Sequence, residues 1–432
     1  MEQVCYAKSS RKEALAWTTI AFFAGFAGVS TFGPIIPKLN QSMALGPVHM
    51  GLLGAIPALT GSLLRIPFGA MVDRVGGKKP ILLLLGLSAT GIAGTTMMFK
   101  LYPSPLPHHY HLFLLFGALC GCGIAIFSVG IPTVSYWYPQ KKQGAALALY
   151  GGLGNLAPGI FAFVLPILVV QIGLSVSYVL WLTLLLLEMA VFYFFMKDAP
   201  YFQYKEMGIE IDEDALIVAC GEELIPTGSA LASLRKAAAD WRTWVLTAFY
   251  FVSFGGFIAL TVWFPTYWKE YFSMSLVQAG ALTALYSLLA SILRVFGGFT
   301  SDLVGGEKTV CGSFLAIVTG AILIMLPSHS VSMALGGVLF LALGMGFANA
   351  AVFKLVPKFM PEAVGGTAGI VGGLGAFGGF VIPILMGLFI KFAGNGGYPL
   401  GFSVFLVLSV ISLILFAFLS RANSRAPKHS ED

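Results

Sequence analysis

Two arginines stand in stretches that otherwise read as lipid-soluble: Arg65 in GSLLRIPFGAMVDRVGG (61–77) and Arg294 in ASILRVFGGFTSDLVGG (290–306). Each lies eight residues before an aspartate, Asp73 or Asp302, at the expected membrane edge. At 1.5 Å per helical residue that is about 12 Å, against a hydrocarbon half-thickness of about 15 Å, so both side chains start near midplane. On insertion scales an arginine at a helix centre costs roughly 2.5–3.5 kcal/mol, and two cost about 5–7. Such a cost calls for a partner, and Glu188 is the only acid well inside an apolar stretch. Two cations without matching anions imply that the missing anion is the substrate. Guanidinium is planar, permanently charged and bidentate, which suits carboxylate, nitrate, nitrite or phosphate rather than a sugar or an amine. Lys354, in AVFKLVPKF, could extend the positive path or snorkel to the interface.

The elements that must position these residues follow from composition. Of 432 residues, 57% are apolar and 10% charged, and the mean hydropathy is +0.87. Soluble domains average about 25% charged, so this is an integral membrane protein. Apolar runs near or above the ~20 residues that cross a bilayer recur along the whole length. Twelve spans are expected at about 14–37, 48–72, 80–101, 112–137, 144–171, 175–196, 242–268, 278–300, 309–327, 332–357, 364–392 and 400–420. Runs this long and continuous are helices, because lipid leaves no partner for an open backbone.

Loop lysines and arginines gather on one side, from Lys8, Arg11 and Lys12 through Arg74, Lys78 and Lys79 to Arg421 and Lys428, whereas YPSPLPHHYH (102–111) has none. By the positive-inside rule both termini are cytoplasmic. The first apolar stretch runs too long, and without a small-residue cleavage site, to be a signal peptide. The net charge of +6 therefore reports topology in a plasma membrane and no nucleic-acid partner. Cys120 and Cys122 read as small packing residues rather than a metal pair, and His108, His109 and His111 as solvated loop residues. No triad, metal spacing or acid/base pair near midplane suggests an enzyme, and no cofactor is implied.

The chain repeats itself. At an offset of 229 residues Arg65 falls on Arg294, Ser62 on Ser291, Gly69 on Gly298, Asp73 on Asp302, Gly77 on Gly306 and Lys79 on Lys308. At 228, Phe26 meets Phe254 and Pro37 meets Pro265; at 221, GGLGN (151–155) meets GGLGA (372–376). Two related six-helix halves, 1–196 and 242–432, flank a connector, 197–241, with an acidic run from Glu206 to Glu223. Parallel halves of this kind are organised around a substrate site near midplane. The 52 glycines concentrate in GAALALYGGLGNLAPG (144–159) and GGTAGIVGGLGAFGGF (365–380), where missing side chains let helices pack closely and backbone approach a small ligand. Asn155 is the strong hydrogen-bonding side chain of the first stretch.

The element GAMVDRVGGKK, with Asp73, Arg74 and Gly77, and its copy SDLVGGEK, with Asp302 and Gly306, resemble the cytoplasmic signature loop of the major facilitator superfamily. More specifically, the two glycine-rich helices are similar to the paired signature of its nitrate/nitrite porter family. So are AIFSVGIPTVSYWYPQKKQGAALALYGGLGN, YFVSFGGFIALTVWFPTYWKEYF, MGFANAAVFKLVPKFMP and the connector's ACGEELIPTG. The resemblance implies an all-α membrane protein of the major facilitator fold. It places the anion between Arg65 and Arg294, beside the aromatic rings of Phe127, Tyr250 and Phe254, with Asn155, Gly154 and Gly375 approaching from the glycine-rich helices. Ala376 stands where the first half has Asn155, so any polar role falls to the first half.

The expected function is alternating-access transport of nitrate, with nitrite as the second substrate, by a monomer in the lipid bilayer. The absence of a central acid fits nitrate/nitrite exchange. Proton-coupled symport, with protons as partners, stays open beside it, as do carriage of formate, oxalate or phosphate and a nitrate-sensing role through the connector.

Overall fold

The computed structural model describes residues 8–102, 107–208, 230–326 and 329–425. The acidic run 210–223, the ACGEELIPTG stretch, Cys5, Cys220 and Lys428 lie outside them. The described chain is helical and contains twelve helical segments long and apolar enough to cross a membrane. Span 1 is Arg11–Met43, span 2 Pro47–Val75, span 3 Lys78–Leu101, span 4 Pro107–Trp137, span 5 Lys141–Gln171 and span 6 Leu174–Phe195. Span 7 is Trp241–Tyr271, span 8 Leu276–Val304, span 9 Gly306–Met325, span 10 Val331–Phe359, span 11 Pro361–Leu400 and span 12 Ser403–Arg421. Their number and order are those expected.

Span 1 runs six residues past its expected end. Pro34 and Pro37 open new helical turns instead of closing the old one, since proline is tolerated where the amide would be unpaired. The helix stops at Ala44, in the left-handed region with φ 46°, where Asn40 Oδ1 accepts from the Leu45 amide at 2.7 Å. At its start, Ser10 and Glu13 form a reciprocal capping box.

Spans 1, 2, 4, 5, 7 and 11 are interrupted partway, whereas spans 3, 6, 8, 9, 10 and 12 are continuous. Span 1 passes through 3-10 turns at Ala27–Ser30 and Gly33–Ile35, and span 4 through Cys122–Ala125. Span 2 breaks at Leu64, span 5 after Gly154 and span 11 at Phe377, while span 7 carries a π-helical turn at Phe251–Gly255. Such turns recur at functional sites because they re-aim side chains and free backbone groups.

The two halves pack tightest at the end opposite the basic loops. A Cβ added to Gly51 of span 2 would lie 2.4 Å from the Pro383 carbonyl oxygen of span 11, and one on Gly387 2.6 Å from that of Pro47. Gly33 meets Val262 of span 7 in the same way, and Gly280 of span 8 meets Ala162 of span 5. Toward the basic end, a Cβ on Gly144, Gly298 or Gly365 would meet nothing within 4 Å. The halves thus approach each other more closely at that end than at the basic one.

Candidate functional site

Arg65 opens the second helix of span 2, Arg65–Val75, at the break that follows Pro47–Leu63. It is 1% exposed. Its Nη1 donates to the Gly372 carbonyl of span 11 at 2.9 Å, a bond from one half to the other. Its guanidinium carbon lies 4.9 Å from the ring centroid of Phe127 and 5.0 Å from that of Phe254. Arg294, half-buried on the unbroken span 8, approaches the same two rings at 5.5 and 5.7 Å. Those rings stand 6.0 Å apart with planes 26° from parallel. Two cations therefore share one pair of aromatic faces, each contact supplying about 0.5–2 kcal/mol of attraction.

That attraction does not satisfy the guanidinium donors. Nε and Nη2 of Arg65 and Nη1 of Arg294 are buried without a hydrogen-bond partner, and no ion pair among the described residues involves either arginine. Buried donors left unpaired cost several kcal/mol, and the two like charges also repel. One small oxyanion between them would relieve both penalties.

The other expected residues gather here too. Tyr250 is fully buried, stacks on Phe254 at 4.9 Å and sets its hydroxyl in the field of both arginines. Asn155, at the break in span 5, is 2% exposed; its Oδ1 has no partner, and its carbonyl accepts from Ser291 Oγ of span 8 at 2.9 Å. Gly154 and Gly375 turn out to seat aromatic rings. A Cβ on Gly154 would fall 1.9 Å from Cδ1 of Phe22, and one on Gly375 2.7 Å from Cβ of Tyr250.

Phe22 and Tyr150 were missed by the sequence reasoning, although their signal was present: the 228-residue offset that pairs Phe26 with Phe254 also pairs Phe22 with Tyr250. Phe22 lies 5.3 Å from Phe127 and 5.1 Å from Tyr150, and Phe26 stacks on Phe254 at 6.1 Å. The Tyr150 hydroxyl points at the carbonyls of Ile126 (2.9 Å) and Phe127 (3.1 Å), where span 4 turns from 3-10 to α-helix. Gly130 is required beneath it, since a Cβ there would be 2.1 Å from that hydroxyl. Tyr150 thereby holds Phe127 in place.

The loop residues sit apart, at the basic end. Asp73 accepts from Tyr136 at 2.7 Å, Arg74 is exposed, and the Gly77 and Lys78 amides donate to Asp198 Oδ1 at 2.6 and 2.9 Å. Burial raises the Asp198 carboxyl above its ordinary range, and those two amides pull it back down. Gly77 packs on Thr133 and Gly306 beside Leu355. Lys354 is bound to Asp302 and to the Ser301 carbonyl. The structure therefore holds Lys354 at the second loop element.

Residues 18–383 and 250–432 match the family model of the Major Facilitator Superfamily. The chain belongs to that superfamily. Superfamily membership makes it a multi-pass membrane transporter and not an enzyme. Among its relatives, a probable nitrate transporter of Staphylococcus epidermidis is 28% identical over 94% of this chain and 96% of its own. A probable nitrate/nitrite antiporter of Thermus thermophilus is 28% identical over 94% of this chain and 91% of its own. The fold matches that of the E. coli xylose transporter in a partially occluded inward open conformation, with a TM-score of 0.72 at 13% identity, covering 97% of this chain and 100% of that one.

Proposed function

We propose that this superfamily member carries nitrate, and nitrite as its counter-substrate, across the plasma membrane by alternating access. One anion lies between Arg65 and Arg294 and against Phe127 and Phe254. The observation that carries the proposal is the arginine pair itself, with unpaired donors on shared aromatic faces and no ion pair to an acid among the described residues. Whole-length relatives named for nitrate and nitrite support it. Nitrate suits such a box: its charge is spread over a flat ion that tolerates apolar faces and accepts planar, bidentate donors. Halves 1–196 and 242–432 rock about the site, 197–241 joins them, both termini are cytoplasmic, and the working unit is a monomer.

Exchange follows from electrostatics. With no acid ion-paired to the arginines among the described residues to replace the anion, an empty site leaves two facing cations to cross the turnover step, so a returning anion lowers that barrier. Symport is the second reading, and Glu188 carries it: both its oxygens are buried without a partner in span 6. Purified protein in liposomes separates the two. Nitrate should enter vesicles loaded with nitrite, not vesicles loaded with an inert anion, whatever the proton gradient, and Glu188→Gln should transport as the wild type does. Gradient-driven entry into nitrite-free vesicles, lost in Glu188→Gln, would replace exchange by symport.

Tyr150→Phe keeps the ring and removes only its hold on the two span 4 carbonyls. A hydrogen bond contributes about 1 kcal/mol, so the transport KM for nitrate should rise about fivefold, with little change in thermal stability. A KM equal to the wild type's would show that packing alone orients Phe127.

A further inference from the structure

The connector looks in sequence like a solvated strap, yet its helix Ala230–Ala239 docks on the glycine-rich helix of span 11, Val364–Ala376. That helix has no cap of its own, because Ala363 at its N-cap position offers no side-chain oxygen to the first amides. Ser233 supplies one from the connector: the Gly366 amide donates to Ser233 Oγ at 3.0 Å. The approach needs glycine, since a Cβ on Gly366 would lie 2.3 Å from the Ser233 carbonyl oxygen. Around this bond Lys236 pairs with Glu362, and Ala237 is buried with Met360, Ala363 and Ile370 beneath Leu234. The connector helix also reaches the Arg65–Val75 segment of span 2 in the other half.

The capped helix carries part of the anion site. Six residues beyond Gly366, about 9 Å along the axis, the Gly372 carbonyl accepts from Arg65. One turn later Gly375 seats Tyr250. The axial position of Val364–Ala376 therefore sets where Arg65 and Tyr250 stand.

We propose that Ser233 is a positioning residue for the anion site: by capping the span 11 helix from the connector, it fixes the height at which Gly372 meets Arg65. The inference rests on the arginine pair being the transport site. An uncapped first turn frays or slides, and the loss is transmitted along a rigid helix to the anion's ligands. The connector is then a strut that holds one wall of the site.

The test uses the full chain as wild type, Ser233→Ala and Ser233→Thr. Hydrogen exchange of purified protein is followed in peptides covering 364–372, and nitrate KM is measured in liposomes. Ser233→Ala should exchange about fivefold faster in those peptides, the scale of a lost cap, and raise KM by a similar factor. Ser233→Thr, which keeps the hydroxyl, should restore both. Unchanged exchange in Ser233→Ala would overturn the cap, and faster exchange with unaltered KM would overturn its link to the site. If the wild type carried no nitrate, the transport proposal would fail, while hydrogen exchange would still decide the cap.

Discussion

Arg65→Lys is expected to reduce nitrate uptake at least about 100-fold, with Arg294→Lys close behind. Charge is preserved in both, so the loss isolates what guanidinium geometry contributes. Lysine cannot offer a bidentate fork or lie flat between Phe127 and Phe254. Hydrogen bonds to a charged group contribute about 1.5–3 kcal/mol each. Losing one or two of them therefore removes about 3 kcal/mol, or two powers of ten at about 1.4 kcal/mol per tenfold. Arg65 should be the more sensitive, because it is 1% exposed and also holds the Gly372 carbonyl across the interface. Initial uptake rates into liposomes, normalised to reconstituted protein, measure this; uptake within threefold of wild type in either variant would show that charge alone suffices.

Gly154→Ala should be the second most damaging change, although it adds only one methyl. The added carbon would fall 1.9 Å from the Phe22 ring. Phe22 has nowhere to retreat, being fully buried against Phe26, Phe127 and Tyr150. Overpacking of a filled core costs about 1–3 kcal/mol, and here the displaced ring pushes on Phe127, which faces both arginines. Uptake should drop more than tenfold. Phe22→Leu should recover part of it in the double variant, since contacting residues show coupling that distant ones lack. Gly375→Ala should behave alike against Tyr250, whose Cβ cannot swing away. Additive effects of Gly154→Ala and Phe22→Leu would contradict the seating of the ring.

The twelve spans and the repeat were legible because lipid imposes long apolar helices and because Arg65 and Arg294 keep the same neighbours 229 residues apart. The arginine pair was legible through its cost in an apolar stretch. The aromatic seats were not. A glycine in a helix signals close approach without naming the partner, and Phe22 looks like any packing residue until Gly154 is seen beneath it. The breaks at Leu64 and after Gly154 were signalled by Pro67 and Pro158, neither of which has an amide to bond one turn back, although apolar runs alone read through them. Span 1 ran past its expected end because Pro34 and Pro37 begin turns there rather than stop them. The ion pair of Lys354 with Asp302 was not legible because 52 residues separate the two in sequence. Ser233 and Gly366 are 133 residues apart, and no local pattern announces a cap supplied from that far.

The most direct test of the central claim is calorimetric titration of purified protein with nitrate, for the wild type, Arg65→Ala and Arg294→Ala. The account predicts one nitrate per chain and loss of measurable binding in each single variant, because the anion needs both guanidinium groups at once. Undiminished binding to either variant, or more than one equivalent at the wild-type site, would contradict an anion held between Arg65 and Arg294.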